Sequence, residues 1–115
     1  MAYFPFFADI KNKKFLVVGG GKTALRKIKT LVGFGCECIV IAPQINEEIY
    51  SLASFAENRN FEEKDLENID FAVAATDDKM LNKKIACLCR NKKIPVNSVT
   101  DLNDCDFVFP AVYRN

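Results

Sequence analysis

Histidine and tryptophan are absent from this sequence, and neither sign of charge predominates, since the net charge is +1 at pH 7. A domain that binds nucleic acid usually carries a strong basic excess, so the charge balance argues against a nucleic-acid partner. No stretch approaches the roughly 20 apolar residues that a membrane-spanning helix needs. The chain of 115 residues, half of them hydrophobic, has the length and composition of one soluble globular domain.

Signals for metal binding and export are missing as well. The five cysteines form no Cys-x-x-Cys pair and have no histidine to join them, so we expect buried free thiols and no bound metal. Cys36 and Cys38 should point the same way at a strand start, whereas Cys87 and Cys89 should diverge on a helix. The N-terminus lacks the basic start of a signal peptide and contains Pro5. We therefore expect a cytoplasmic location and an N-terminal apolar arm that covers an edge of the domain.

Continuous apolar runs alternate with helical periodicity along the chain. The runs predict buried strands, and the periodic segments predict amphipathic helices between them. The strands are expected at residues 15–18, 38–42, 60–63 (weak), 71–75 and 95–99, and the helical faces at residues 24–32, 45–56 and 81–89. An apolar, extended tail follows at Phe107–Val112. This order predicts a single α/β domain over residues 1–115, with a Rossmann-type, doubly wound parallel sheet in three αβα layers.

A glycine turn, Gly19-Gly20-Gly21-Lys22-Thr23-Ala24, joins the first strand to the first helix. Gly19 allows a tight turn, Gly21 has no side chain to block a pyrophosphate, and Ala24 lets the helix lie close to the sheet. The free N–H groups and positive dipole end of the helix would then face the anion. The turn predicts binding of NAD, with a glycine-rich turn that binds nothing as the alternative.

The adenosine end of this expected site is less well marked. The acidic residue that usually follows the second strand is missing, because positions 41–44 hold Ile, Ala, Pro43 and Gln44. Gln44 or backbone groups could replace it, and no arginine stands there to favour a 2′-phosphate, so the sequence favours NAD over NADP.

Two further segments should reach the same sheet edge. Ala75, Thr76 and Asp77 precede Asp78 after the third buried run, where they would line the cofactor cleft or only cap the next helix. Asn97 lies in the last predicted strand and Asp101 just after it, and Asp101 is either a solvated turn residue or a functional carboxylate.

These segments together resemble the NAD-binding domain of siroheme synthase, the precorrin-2 dehydrogenase/sirohydrochlorin ferrochelatase family. The similarity covers nearly the whole chain. It is carried by Tyr3–Asp9, by the glycine turn with Arg26-Lys27, by Ala74–Asp78 with Leu81-Asn82, by Val96-Asn97 and by Cys105–Ala111.

The resemblance implies NAD-dependent oxidation of precorrin-2 to sirohydrochlorin, with insertion of Fe²⁺ in some members and a homodimer at full length. It implies that Lys22, Thr23, Pro43 and Gln44 touch the nucleotide, with Thr76 and Asn97 near the nicotinamide end. The basic clusters Lys11–Lys14 and Arg90–Lys93 are then either solvated loops before strands or a means of attracting the acidic tetrapyrrole.

Two departures from the family pattern shape our expectations. The family commonly has an acid/base aspartate three residues after the asparagine matched by Asn97, where this chain has Thr100 followed by Asp101. Threonine is a poor base near neutral pH, so Asp101 becomes the candidate proton acceptor. The family also continues into a dimerisation region and a helical domain, so this chain is expected to be the N-terminal part of a longer enzyme. The alternatives are a non-catalytic nucleotide-sensing module and an NAD-dependent dehydrogenase of another small substrate.

Overall fold

Five parallel strands in the order β3-β2-β1-β4-β5 form the central sheet of the computed structural model, which describes residues 2–109. The strands are β1 (Lys14–Val18), β2 (Glu37–Ala42), β3 (Phe55–Asn58), β4 (Phe71–Ala74) and β5 (Val96–Ser98). The helices are α1 (Lys22–Gly33), α2 (Glu47–Leu52) and α3 (Lys79–Asn91), with short 3₁₀ turns at Glu63–Leu66 and Leu102–Asp104.

The helices cover both faces of the sheet, as the unbroken apolar strands require. Along β1, Phe15 and Val17 face the layer of α1 and α2, whereas Leu16 and Val18 face α3. All four side chains are almost fully buried. The order reverses beside β1, where the chain crosses from β3 back to β4, and this is the switch point of a Rossmann sheet. The predicted three-layer, doubly wound fold is confirmed.

The weak strand predicted at residues 60–63 was wrong, because β3 lies earlier, at Phe55–Asn58, and α2 ends at Leu52. Backbone bonds from Ser54 N to Cys38 O (2.9 Å) and from Arg59 N to Ala42 O (3.0 Å) fix this register beside β2. Ala56 fits a helical spacing, yet it pairs with Val40 in the sheet. An edge strand with few β-branched residues gives a weak sequence signal, which explains the misplacement.

The two cysteine pairs are oriented as predicted, but the thiols are not all buried. Cys36 and Cys38 are buried in the same core cluster, while Cys87 is exposed and Cys89 is buried. Burial raises the pKa of Cys38 and of Cys89 to about 12, so both thiols are neutral at physiological pH. Within residues 2–109 no group of three or more acidic or cysteine side chains could hold a metal ion. None of the helices within this range combines the length and the apolar character of a membrane span.

The N-terminal arm does not cover the domain edge as expected. Phe4, Phe6 and Phe7 are exposed, and Phe7 has no measurable burial. Tyr3 anchors the arm, because its hydroxyl lies 3.0 Å from the carbonyl oxygens of both Leu102 and Cys105.

The C-terminal tail is apolar and packs against the sheet. The ring of Phe107 makes edge contacts with Phe15 and Phe71, at centroid distances of 6.4 and 5.8 Å. Asp106 ties the tail to β5, since its N–H donates to Val96 O and its carboxylate accepts from Val96 N. Phe107–Phe109 lie outside any helix or strand, and the rest of the predicted tail, residues 110–112, lies outside the described residues.

A cluster around Arg59 holds the segment that follows β3. The Arg59 guanidinium donates to both carboxylate oxygens of Asp65 (2.9 and 2.6 Å) and to Glu57 (2.8 Å). Burial alone would raise the pKa of Asp65, but hydrogen bonds from Arg59 and from Glu62 N, together with nearby positive charge, hold that pKa below its usual value. The cluster thereby fixes the loop that carries residues 60 and 61.

We expect Arg59→Met to lower the free energy of unfolding by about 1–2 kcal/mol at pH 7, because Asp65 loses its bidentate partner. The folded-state pKa of Asp65 is depressed, so the pair stabilises the domain above the unfolded pKa of about 4 and loses that effect as pH falls below it. Urea unfolding from pH 7 to pH 3 measures both effects. Lys64→Met, which removes the same charge from an exposed pair with Glu62, is the control. A gap between wild type and Arg59→Met that stays constant with pH would contradict this account.

Candidate functional site

A cleft of about 930 Å³ opens at the carboxyl ends of the strands, at the switch point beside β1. Ten of the residues predicted to bind the cofactor line it: Gly19, Gly20, Gly21, Lys22, Thr23, Pro43, Gln44, Ala75, Thr76 and Asp77. Ala24 does not reach the cleft, because it is fully buried between α1 and the sheet. That position suits the close helix packing expected of it.

Sequence reasoning missed the far wall of the cleft. Ile45, Asn46, Asn60 and Phe61 line this wall. The last two were assigned to a strand, and only the true position of β3 brings their loop to the cleft. Nothing in the local sequence signals this, because the placement depends on which residues pair with β2.

The three glycines of the turn have different roles. Gly19 has a φ of +135°, and a Cβ there would lie 2.3 Å from Ala75 O. A Cβ on Gly20 would lie 2.2 Å from Gln44 O. Gly21, in contrast, has nothing within 4 Å of such a Cβ. The first two glycines therefore allow close packing within the protein, and the third leaves open space where a ligand can approach.

Backbone hydrogen bonds tie this turn to its neighbours on both sides. Gly19 N donates to Ile41 O at 3.0 Å, and Asn46 N donates to Gly20 O at 2.8 Å. On the other side, Ala75 N donates to Val18 O at 2.8 Å. The loops that follow β2 and β4 are thus held directly against the turn.

The N-terminus of α1 fits the pyrophosphate of a dinucleotide. Gly21 is its N-cap and offers no side-chain hydrogen bond, and the first turn contains no acidic residue. The first N–H groups of a helix lack partners within the helix and favour an anion. With the open space at Gly21, the residues present fit the cofactor that the turn predicts.

Asn82 organises the rim between β4 and α3. This fully buried amide accepts from the Thr76 hydroxyl (2.6 Å) and from Thr76 N (3.2 Å), and its Nδ2 donates to Thr76 O (3.0 Å). The same Nδ2 lies 3.2 Å from the Thr100 hydroxyl oxygen. Asp78 caps α3 by accepting from Met80 N and Leu81 N, and both Asp78 and Thr76 line the cleft.

A second pocket of about 380 Å³ adjoins the cleft, and Thr23 and Val99 line both. Asn97 and Asp101 lie in this pocket and not in the main cleft. Asn97 is 5% exposed, and its Nδ2 donates to Phe107 O at 3.0 Å. Among the described residues its Oδ1 has no hydrogen-bond partner.

Asp101 is a structural residue as well as a pocket residue. Its carboxylate caps the turn Leu102–Asp104 by accepting from Asn103 N at 2.9 Å, and it lies 3.6 Å from Lys83 Nζ. Thr100 is bound to Asn82 and lies 3.5 Å from the Ser98 hydroxyl. Of these two adjacent residues, only Asp101 offers a carboxylate to the second pocket.

The fold and the cleft together define a Rossmann-type dinucleotide-binding domain. Residues 6–111 match the family model described as "Putative NAD(P)-binding", and the chain belongs to that family. It is similar to the siroheme synthase of Neisseria meningitidis serogroup C (strain 053442), with 37% identity over 97% of this chain and 24% of the relative. It is also 34% identical to the siroheme synthase of Pseudomonas fluorescens (strain SBW25), over 97% of this chain and 25% of that protein.

A solved structure agrees with these relatives. SirC, a precorrin-2 dehydrogenase, matches with a TM-score of 0.81 and 30% identity, over 97% of this chain and 57% of SirC. The chain spans about a quarter of the length of the curated relatives it matches. The resemblance stated from the sequence and the NAD cofactor are confirmed.

The glycine turn yields a prediction that separates packing from binding. Gly21→Val should abolish NAD binding, because the side chain would fill open space at the helix N-terminus, and it should cost about 1 kcal/mol of stability at this N-cap. Gly20→Ala should destabilise the fold by about 1–3 kcal/mol or more, because its Cβ would overlap the Gln44 backbone. Calorimetric titration with NAD⁺ and urea unfolding measure the two effects. If Gly21→Val binds NAD⁺ normally, the turn does not contact the cofactor.

Proposed function

We propose that this domain supports the NAD-dependent oxidation of precorrin-2 to sirohydrochlorin, within an enzyme of the siroheme synthase kind. The observation that carries the proposal is the contact between two pockets through Thr23 and Val99. The larger one fits a dinucleotide, and the smaller one opens where the nicotinamide would end. A substrate bound in the smaller pocket would therefore meet the reactive end of the cofactor.

The domain's own residues orient the two reactants. The N-terminus of α1 would bind the pyrophosphate, and the loops after β2 and β3 would contact the adenosine. Thr76 would lie at the rim of the cleft beside the nicotinamide. When bound, NAD⁺ supplies the two-electron acceptor for the oxidation. The Asn82 network keeps Thr76 in place by hydrogen bonds to its hydroxyl, N–H and carbonyl. The protein thus contributes binding and orientation.

Oxidation of the macrocycle also releases a proton, and we propose Asp101 as its acceptor. Asp101 is the one carboxylate among the described residues that line the second pocket. Its cap bond to Asn103 N uses one oxygen at 2.9 Å, and a carboxylate has lone pairs enough to accept further bonds. The neighbouring hydroxyl of Thr100 cannot accept a proton unaided near neutral pH.

The adenosine end predicts a preference for NAD⁺ over NADP⁺. Arg59 directly follows β3, but its charge is paired with Glu57 and Asp65. Among the described residues that line the cleft, the only basic one is Lys22, at the expected pyrophosphate position. A 2′-phosphate would lack a charged partner, so NAD⁺ should bind about tenfold or more tightly. Titration of the domain with each nucleotide measures the ratio of the two dissociation constants. Gln44→Arg should reduce this ratio, because it adds a positive charge at the adenosine end. Tighter binding of NADP⁺ by the natural sequence would refute this assignment.

The role of Asp101 can be tested in a chimera that joins this domain to the remaining length of the Neisseria meningitidis siroheme synthase. Asp101→Asn keeps an acceptor for Asn103 N and removes the base, so kcat for precorrin-2 oxidation should fall by about 10²–10⁴-fold with NAD⁺ affinity unchanged. Thr100→Val is the control: it removes the hydroxyl bound by Asn82 and should lower kcat far less than Asp101→Asn does. Near-full activity in Asp101→Asn would assign the proton to another group or to water.

The resemblance is also the basis for three wider proposals about the full-length enzyme. We propose that it is a cytoplasmic homodimer and that Fe²⁺ is a second substrate in a chelatase step. Within residues 2–109 there is no cluster of metal ligands, so iron would be bound as substrate together with the tetrapyrrole and not as a resident cofactor of this part.

A further inference from the structure

Most polar groups of the second pocket are already engaged by the protein. The Asp101 carboxylate caps a turn, the Thr100 hydroxyl is bound by Asn82, and Cys105 Sγ lies 3.2 Å from both Ser98 N and Ser98 O. Burial raises the pKa of Cys105, so its thiol is neutral and does not act as a counter-ion. Among residues 2–109, Asn97 Oδ1 has no hydrogen-bond partner and the ammonium of Lys27 has no carboxylate partner.

Lys27 is a half-buried cation without a carboxylate partner in the described part of the chain. Its Nζ lies 4.1 Å from the centroid of the Phe109 ring, a cation–π contact that replaces part of the lost hydration. Burial lowers the pKa of Lys27, and the nearby charge of Arg26 lowers it further. A partly desolvated charge without a counter-ion is unfavourable, so an anion in this pocket would be bound strongly.

The position of Lys27 relative to the cofactor cleft is set by α1. Lys27 follows Thr23 by four residues, so the two side chains lie on one helix face, about 6 Å apart along the axis. Thr23 lines both pockets, whereas Lys27 lines only the second. A ligand that touches Lys27 therefore reaches one helical turn beyond the place where the pockets meet.

We propose that Lys27 binds a carboxylate arm of the substrate and that Asn97 Oδ1 accepts a hydrogen bond from a ring N–H of the same molecule. The inference rests on the proposed function, in which the substrate is a tetrapyrrole. A tetrapyrrole carries both groups, since acidic arms surround a ring of pyrrole N–H donors. Lys27 and Asn97 hold the macrocycle in the second pocket, so that its edge faces the nicotinamide end of the cleft. Lys27 is a specificity residue and takes no proton in the reaction.

Fluorescence titration of the 115-residue chain with uroporphyrin, a stable porphyrin whose side chains all end in carboxylates, tests the proposal. Lys27→Met should raise the Kd about tenfold or more, because it removes the charge and keeps the length, whereas Lys27→Arg should retain most of the affinity. Lys29→Met, on the same helix but paired with Glu48 at 3.2 Å, is the matched control and should change the Kd less than about twofold. NAD⁺ affinity should be unchanged in all three variants.

A second probe separates this inference from the proposed function. Mellitate, a flat aromatic polycarboxylate, should also bind in a Lys27-dependent manner. If mellitate binding depends on Lys27 but uroporphyrin does not bind, the result supports an anion-binding site at Lys27 and refutes a tetrapyrrole as its ligand. If Lys27→Met does not change uroporphyrin binding, or if Lys29→Met weakens it equally, the role of Lys27 is refuted. The proposed function is not affected by that result. Binding of neither probe overturns both.

Steady-state kinetics of the siroheme synthase chimera distinguish a role of Lys27 in substrate binding from a purely structural role. Lys27→Met should raise KM for precorrin-2 with little change in kcat, because the lost contact is present in both ground and transition states. A fall in kcat at constant KM would show that Lys27 takes part in proton transfer, which contradicts the proposal.

Discussion

The cleft depends on how closely the glycine turn approaches the ends of β2 and β4. No side chain separates Gly19 from Ala75 O or Gly20 from Gln44 O, and a single methyl group at either glycine would overlap backbone atoms. Backbone bonds at 2.8 to 3.0 Å then join the turn to Ile41, Asn46 and Ala75. The cradle for the dinucleotide is therefore built from backbone atoms of three parallel strand ends, and it needs few charged side chains. This agrees with a chain whose net charge is +1 and whose described cleft contains one lysine.

The basic clusters found in the sequence take part in local contacts and not in the cleft. Arg90 lies 3.8 Å from Asp104, and Lys92 lies 3.8 Å from Glu63. Lys14 begins β1, and its N–H is bound by Asp70. None of these residues lines either pocket. The interpretation as loops before strands fits residues 11–13 and 92–93, whereas Lys14 belongs to β1 and Arg90 to α3. Among the described residues that line the second pocket, Lys27 is the one basic side chain.

The parts of the fold that the sequence predicted well are those in which local and global signals agree. The apolar run of β1, the glycines and the amphipathic face of α1 follow one another without a gap, so neighbouring residues alone indicate the unit. β3 was misplaced because Ala56 satisfies a helical spacing although it pairs with Val40 in the sheet. The second pocket could not be predicted, because Lys27 on α1 and Phe109 in the tail come together only after the sheet has formed. The segment Thr76–Asn82 was marked by the family resemblance, but the sequence did not reveal that Asn82 holds Thr76 in place.

Asn82 binds Thr76 at the rim of the cofactor cleft and Thr100 at the rim of the second pocket through one fully buried amide. A buried polar group that loses a partner costs about 1–3 kcal/mol, so neither rim can move away from the other without that cost. The amide therefore acts as a fixed spacer between the two halves of the site. The distance from dinucleotide to second ligand is set before either arrives, and reactants seated in the two pockets would meet at a separation that the protein has already determined.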